Sequence, residues 1–367
     1  MSLSSSATSI VITRVIPVRG GFATLDVDGG DSSARMFDAN GALRSNIPIP
    51  KISRANIAGD PDGGPIVISY QTYTSNIKWL AFDAVTNVVR EVGFSATGPG
   101  DFSNIVVERV FVRSLDGKVQ IPLEIVHAKS IKRDGSAPTI LTAYGAYGVI
   151  STPYFDPTSL AWLERGGIFA QAMIRGGGEY GDDWHQAARL ATKTASSDDV
   201  AACALWLSRH GYGDKNHIGI IGGSAGGFLM GLALTRNPTR YRAIVAQVGF
   251  YDLLRVELTP NGAYNTPEFG TVKDSTQFAW MLGQSPYHNV HLGTAYPAVL
   301  MTTGGNDPRV DPYNSRKMTA MLQADTASTN PILLIERSGQ GHGIGNSFDQ
   351  NVEEQTEIYA FFEKQLQ

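Results

Sequence analysis

The chain has 367 residues, 42% apolar and 17% charged, which is enough apolar content to bury a sizeable core and too much for a disordered chain. Thirty Lys and Arg against 34 Asp and Glu leave a net charge of −4, so no basic surplus points to nucleic acid or an anionic membrane as partner. One cysteine, Cys203, excludes both an intramolecular disulfide framework and a thiolate zinc cluster.

Met1 to Ser6 carries no charged residue ahead of an apolar run, and Ile10-Val11-Ile12 is broken by Thr13 and Arg14, so no signal peptide is read. No stretch approaches the roughly 18 apolar residues of a membrane span. A cytoplasmic protein is the default expectation. Residues 9 to about 105 then read as short strands separated by turns. Gly21–Val27 alternates and ends in the turn signal Asp28-Gly29-Gly30; Pro65–Tyr70, Ile77–Phe82 and Val88–Val92 follow. This spacing of turns suits propeller blades of about 40–45 residues. Residues 1–105 hold two such blades at most, which cannot close a ring, so a sheet edge must be covered by another part of the chain or another subunit.

From Val106 the pattern changes to strands alternating with helices. Strands are expected at Val107–Val112, Gln120–His127, Thr139–Tyr144, Ile168–Ile174, His217–Ile221, Ala243–Val248, Ala298–Thr302 and Ile332–Ile335. A helix over Asp199–His210 takes Ser197 or Asp198 as cap and Gly211 as stop. The last helix places Val352, Tyr359, Phe362 and Leu366 on one face. Such alternation means a doubly wound, mainly parallel sheet over residues 106–367, an α/β class of fold with a smaller all-β segment at residues 1–105.

The chemistry gathers around one serine. Gly222-Gly223-Ser224-Ala225-Gly226 lies between the strand ending at Ile221 and the apolar run Phe228–Leu234. That is G-x-S-x-G between a strand and a helix, the context in which a sharp turn exposes a nucleophilic hydroxyl. A nucleophilic serine needs a base, and the base an orienting acid, in the order Ser, Asp or Glu, His. Of seven histidines, only His342 lies beyond the strand Ala298–Thr302, in the loop Ser338-Gly339-Gln340-Gly341-His342-Gly343. For the acid, Asp307 and Asp311 compete in Gly304–Pro312; Asp307 is nearer the strand end, while Asp311 before Pro312 reads as a turn or helix cap.

Arg175-Gly176-Gly177-Gly178-Glu179-Tyr180-Gly181 with Trp184-His185, the segment Gly222–Gly227, Ala246-Gln247-Val248-Gly249, Tyr144-Gly145-Ala146-Tyr147-Gly148, Asp307–Val310 and Gly341-His342-Gly343 together resemble the prolyl oligopeptidase family across residues 105–367. The resemblance implies an α/β-hydrolase domain preceded by the last blades of a truncated propeller. It implies a triad of Ser224, Asp307 and His342, with Tyr144 and the Ala225 N–H forming the oxyanion hole and Arg309 binding a substrate carbonyl. Counting on from Gly249, Asn265 falls where proline-specific members carry a tryptophan, and Phe250 where they have a small aliphatic residue. Tyr147, Phe269 and Val310 keep that pocket apolar, so strict proline or arginine preference is not expected.

Three readings follow: a serine hydrolase acting mainly on small or accessible esters with some peptide cleavage, an oligopeptidase for short peptides, and a non-catalytic binding module. The full triad argues against the third, and the short β-segment favours esters over peptides. None calls for a cofactor or a metal. The open blade edges and the uncovered rim of the hydrolase domain predict a homo-oligomer, most simply a dimer.

Overall fold

The computed structural model describes residues 10–94, 98–343 and 345–367. The part of the signal-peptide reading that rests on residues 1–9 lies outside the described residues. No helix among those described is long and apolar enough to cross a membrane.

The β-rich segment is two antiparallel four-stranded sheets. The first has the order β1 (Val11–Val18), β2 (Gly21–Asp28), β3 (Asp31–Asp38), β4 (Leu43–Ile47). The second runs β5 (Arg54–Ala58), β6 (Ile66–Gln71), β7 (Lys78–Asp83), β8 (Val88–Val92). The inward residues Ile16, Leu25 and Met36 of the first meet Ile57, Ile68 and Phe82 of the second in one apolar core. Strands β1, β3, β4 and β5 were not expected. In β3 and β5 the inward positions are mostly small, Ser32, Ala34 and Ala55, between polar neighbours, so their alternation is weak in hydropathy although regular in burial.

The rest of the chain builds a mixed eight-stranded sheet. In chain order it supplies β9 (Ile105–Arg113), β10 (Gln120–Ala128), β11 (Thr139–Thr142), α1 (Ser159–Leu163), β12 (Ile168–Ala172), α2 (Asp182–Gln186), α3 (Thr194–Arg209), β13 (Ile218–Gly223) and α4 (Ala225–Arg236). Then come β14 (Ala243–Gln247), α5 (Gly262–Phe269), α6 (Ser275–Gln284), β15 (Ala298–Gly304), α7 (Tyr313–Asp325), β16 (Ile332–Arg337) and α8 (Phe348–Leu366). The strand order is β16-β15-β14-β13-β11-β12-β10-β9, parallel from β16 through β12 and antiparallel at β10 and β9. This is the α/β-hydrolase arrangement. Val200 and Leu207 of α3, Leu229 and Ala233 of α4 and Met318 of α7 pack on one face, while Trp162 beside α1's end and Ile358, Phe361 and Phe362 of α8 pack on the other.

Two helices depart from expectation. Helix α3 begins at Thr194, so the cap candidates Ser197 and Asp198 lie inside it: Ser197 is buried, Asp198 pairs with Arg236 at 3.0 Å, and Asp199 behind them is fully buried. Asp199 is tolerated there because its carboxylate accepts hydrogen bonds from Arg175 Nε (2.9 Å), Nη2 (2.7 Å) and the Arg175 backbone N–H (3.1 Å). In α8 the buried face is Ile358, Phe361, Phe362, Gln365 and Leu366, while Val352 is 40% exposed. The first turns of that helix carry few buried residues, so the apolar stripe starts later than the spacing suggests.

The two β-modules meet the large sheet at a buried polar cluster. Arg109 of β9 donates to the Gly29 carbonyl and lies 3.7 Å from Asp31 and 3.8 Å from Glu124 of β10. Tyr73 Oη lies 2.6 Å from Glu124 Oε2 and 2.9 Å from Gln171 Oε1. One phenol proton cannot serve two acceptors. A protonated Glu124 donating to Tyr73, which donates on to Gln171, satisfies both contacts. Burial pushes the Glu124 carboxyl up to about 7, against the opposing pull of Arg109 and Tyr73. Glu179, buried beside the same turn, is also pushed to about 7 by burial.

A carboxyl whose folded pKa is raised gives stability that is complete below its unfolded value near 4.5 and is lost as pH rises through about 7. The melting temperature should therefore fall between pH 5 and pH 8. Glu124→Gln, which cannot ionise, should remove part of that fall, worth on the order of 1–3 kcal/mol. Scanning calorimetry at several pH values reads it; an unchanged pH slope in the variant refutes the assignment.

Candidate active site

Ser224 sits between β13 and α4 with φ 58° and ψ −120°, a conformation most side chains avoid. Two features hold it. Its N–H donates to the Gln247 carbonyl at 2.9 Å. Gly222 and Gly226 lie so close that a Cβ on Gly222 would stand 2.6 Å from the Gly226 carbonyl oxygen. Only small residues at these positions let the strand turn directly into the helix, and the turn lifts the hydroxyl clear of the backbone.

Three side chains from three strand ends meet there. Ser224 Oγ is 2.9 Å from His342 Nε2, and His342 Nδ1 is 2.6 Å from Asp307 Oδ2. Asp307 follows β15 and His342 follows β16, so adjacent parallel strands bring the acid and base loops side by side. The other Asp307 oxygen accepts from the Arg309 N–H (2.8 Å) and the Val310 N–H (2.9 Å). Burial would raise this carboxyl, but the hydrogen bonds from His342, Val310 and Arg309 outweigh it and hold it below the usual carboxylate range. Asp311 is exposed and accepts from Tyr313 N–H at 2.9 Å at the start of α7, whereas His342 Nδ1 pairs with Asp307. The side chains of His127, His185, His210, His217 and His288 have partners of their own, such as Glu108 for His127 and Asp214 for His217.

Tyr144 lies two residues past the end of β11, which is shorter than the sequence suggests, and lines the same cavity as Ser224. Burial raises its phenol above the ordinary value, so it remains a protonated donor at neutral pH. The Ala225 N–H opens α4 and meets no acceptor among the described residues, as expected of a first helical turn.

A cavity of about 430 Å³ opens beside Ser224. Tyr147, Phe250, Asn265, Arg309 and Val310 line it together with Tyr144. Tyr147 Oη donates to Asn265 Oδ1 at 2.6 Å, and Asn265 Nδ2 donates weakly to the Asn261 carbonyl at 3.4 Å. Phe269 is not part of this lining. Its ring is fully buried one layer behind, edge-on to Tyr147 and Phe250 with centroids 5.8 and 5.1 Å away, because Phe228 and the Lys193 ammonium enclose it. The lining also contains Asn261, Tyr264 and Val149, which the sequence did not single out. Asn261 and Tyr264 sit one turn and one residue before Asn265, but Gly262, Asn265 and Pro267 hide α5 from any helix reading. Among the described residues no carboxylate lines this cavity, and no cluster of three or more His, Cys, Asp or Glu could hold a metal. The Arg309 guanidinium, at the rim, forms no ion pair among the described residues.

A family model described as the prolyl oligopeptidase family matches residues 153–367. The chain is 34% identical over 342 residues to a prolyl endopeptidase of Elizabethkingia meningoseptica, covering 93% of this chain and 48% of that protein. It is 31% identical over 315 residues to dipeptidyl aminopeptidase BI of Pseudoxanthomonas mexicana, covering 84% and 43% respectively. Among solved structures, one from a study of two prolyl endopeptidases superposes with a TM-score of 0.92 at 32% identity, over 98% of this chain and 53% of the other. Oligopeptidase B from Leishmania major gives 0.88 at 26% identity, over 98% and 52%. The chain spans about half the length of the curated relatives it matches.

The geometry separates the two candidate acids. Asp307→Asn should lower kcat by up to about 10⁴, since an amide opposite Nδ1 favours the wrong His342 tautomer. Asp311→Asn should change kcat less than about threefold, because only a helix-start contact is altered. Steady-state kinetics of the two variants decide it, and a reversed order rejects Asp307 as the acid.

Proposed function

The chain belongs to the prolyl oligopeptidase family, and on that premise we propose that it is a serine peptidase that hydrolyses short peptides through an acyl-enzyme on Ser224. The observation that carries this reading is the unbroken line Ser224 Oγ, His342, Asp307 at 2.9 and 2.6 Å. Ser224 attacks the scissile carbonyl as His342 Nε2 takes its proton, with Asp307 holding the Nδ1 proton and steadying the imidazolium. The Tyr144 hydroxyl and the Ala225 N–H receive the oxyanion. His342 then protonates the leaving amine, and water releases the acyl group by the same steps reversed.

The cavity beside Ser224 takes the residue on the acyl side of the bond. Phe250, Tyr147 and Val310 offer it apolar surface, and Asn265 adds an amide fixed by Tyr147. Without a carboxylate, the site gives no reward for a basic side chain. Without an aromatic face at Asn265, it gives none specific to proline. Uncharged apolar residues fit it best, with Arg309 within reach of a substrate carbonyl. The emphasis on esters that the short β-segment suggested gives way, since the relatives bear peptidase names.

A blocked peptide anilide with an apolar residue before the scissile bond and a short acyl nitrophenyl ester, assayed side by side, test the reading. Both should be turned over, both activities should fall by several orders of magnitude in Ser224→Ala, and an organophosphonate should label Ser224 alone. Turnover of the ester with none of the peptide overturns the peptidase assignment.

The same reading includes a homodimer through the β-modules. Strands β1, β4, β5 and β8 each have one paired side, and Ile12 and Val15 on β1 are 53% and 58% exposed. Sedimentation over a wide concentration range should show self-association; a monomer throughout removes it.

A further inference from the structure

Beneath the loop that carries Tyr144 and Tyr147 lies a charged cluster that the proposed mechanism does not use. Lys193 and Glu268 are 1% and 2% exposed. Lys193 Nζ donates to Glu268 Oε1 and to the Gly145 carbonyl, both at 2.7 Å. Glu268 Oε2 is 2.6 Å from Nε2 of His185, which is partly exposed on α2. His185, on α2, and Lys193, in the turn before α3, are close in the chain, whereas Glu268 comes from the end of α5.

A buried ion pair of this kind is a poor way to gain stability, because taking both groups out of water cancels most of their attraction. Its geometry suggests another role. Gly145, directly after Tyr144, holds φ +60° with Ile174 and the Arg175 carbonyl crowding the side where a Cβ would stand. Its carbonyl oxygen is fixed by Lys193. Moving that oxygen would turn the adjoining peptide and swing the Tyr144 side chain. The pocket helix α5 is tied to the same loop twice, through Glu268 and Lys193 to Gly145, and one turn earlier through Asn265 to Tyr147 Oη at 2.6 Å. Arg189 Nε adds a third tie to the α5 end at the Pro267 carbonyl, 2.5 Å away.

We infer that Lys193, oriented by Glu268 and His185, is a positioning residue for the oxyanion loop: it fixes the Gly145 carbonyl and so sets the Tyr144 hydroxyl against the developing oxyanion. The inference rests on the peptidase reading above and deepens it. A donor misplaced by about 1 Å forfeits much of its effect on the transition state while leaving ground-state binding nearly intact. Lys193 therefore acts on kcat, through Tyr144, and not on the pocket.

A coupling experiment on the full chain tests this with the blocked peptide anilide. Tyr144→Phe should lower kcat by about 10²–10³ with little change in KM. The paired variant Lys193→Met/Glu268→Gln removes donor and partner together, leaving no lone buried charge, and should lower kcat by about 10–100-fold with KM within about threefold. In the Tyr144→Phe background the same pair should cost less than about threefold, because the hydroxyl it positions is already gone. His185→Gln, which loosens only the outer contact to Glu268 on a partly exposed side chain, should lower kcat a few-fold, and again only when Tyr144 is present. This variant decides the matter if the paired variant does not fold. Costs that are equal with and without the Tyr144 hydroxyl, or a variant effect confined to KM, overturn the inference. Organophosphonate labelling of Ser224 separates the two levels: a wild-type chain that is neither labelled nor active strikes at the peptidase reading itself, whereas a labelled, active wild type with additive variant costs strikes only at Lys193.

Discussion

The conformation of one residue organises the molecule. A serine at φ 58° and ψ −120° costs on the order of 1–3 kcal/mol of backbone strain, which only a rigid surround sustains. That surround is the central part of the large sheet. Strand β13 lies between β11 and β14, and the helix that follows Ser224 is buried along nearly its whole length, from Ala225 to Leu234. The strain fixes where the hydroxyl points, and every other group of the site is placed relative to it from a neighbouring strand end. Tyr144 comes after β11, Gln247 closes β14, Asp307 follows β15 and His342 follows β16. A parallel sheet aligns these ends, so loops far apart in sequence converge without any long excursion.

The second constraint is the seam between the β-modules and this sheet. Its polar groups do more than fill space. The Gly29 N–H donates to the Glu179 carbonyl, and the Glu179 carboxylate in turn accepts from the Ser151 N–H at 2.8 Å. Ser151 lies midway along the loop between β11 and α1, the loop that carries Tyr144. The turn between β2 and β3 is thus two contacts away from the oxyanion side of the site, and Glu179, with its raised pKa, stands between them. Lys193 grips that loop near its start, and Glu179 grips it at Ser151, midway along. The loop is braced at two points by buried ionisable groups, one belonging to the large sheet's side and one shared with the seam.

What the sequence disclosed and what it hid follow one rule. Chemistry confined to a local pattern was legible. The glycines around Ser224 are needed by the turn itself, and His342 and Asp307 follow from the strand order, so all three could be named without coordinates. The β-strand pattern of residues 106–367 was legible for the same reason, since buried parallel strands read as short apolar runs. Features that depend on a distant partner were not. Asp199 looks like the first residue of a helix, next to its cap, because Arg175, 24 residues away, cannot be seen to neutralise it in the helix interior. Phe269 looks like a pocket wall because nothing local tells which side of Tyr147 its ring takes. Lys193 and Glu268 are each a lone charged residue in sequence, and their meaning exists only as a contact across 75 residues.

The same rule bears on how the pocket and the chemistry are divided. Ser224, Asp307 and His342 hang on β13, β15 and β16, whose ends are locked by sheet hydrogen bonds. The cavity wall facing it hangs on α5, a helix of eight residues with an internal Pro267 and little of its surface buried. Such a helix has scant stability of its own and takes its position from its tethers. Those tethers run to the loop of Tyr144, through Asn265 and Glu268, while among the described residues no side-chain hydrogen bond of α5 itself reaches Ser224, His342 or Asp307; only Asn261, just before the helix, holds the Pro308 and Arg309 carbonyls beside Asp307. Substitutions on the exposed side of α5 can therefore reshape the cavity without disturbing Ser224, His342 or Asp307. If Lys193 sets the Tyr144 hydroxyl as inferred, a change at Glu268 reaches the transition state through Tyr144. Specificity and rate are then separable along this helix, residue by residue, and the dividing line falls between Asn265, which faces the cavity, and Glu268, which faces Lys193.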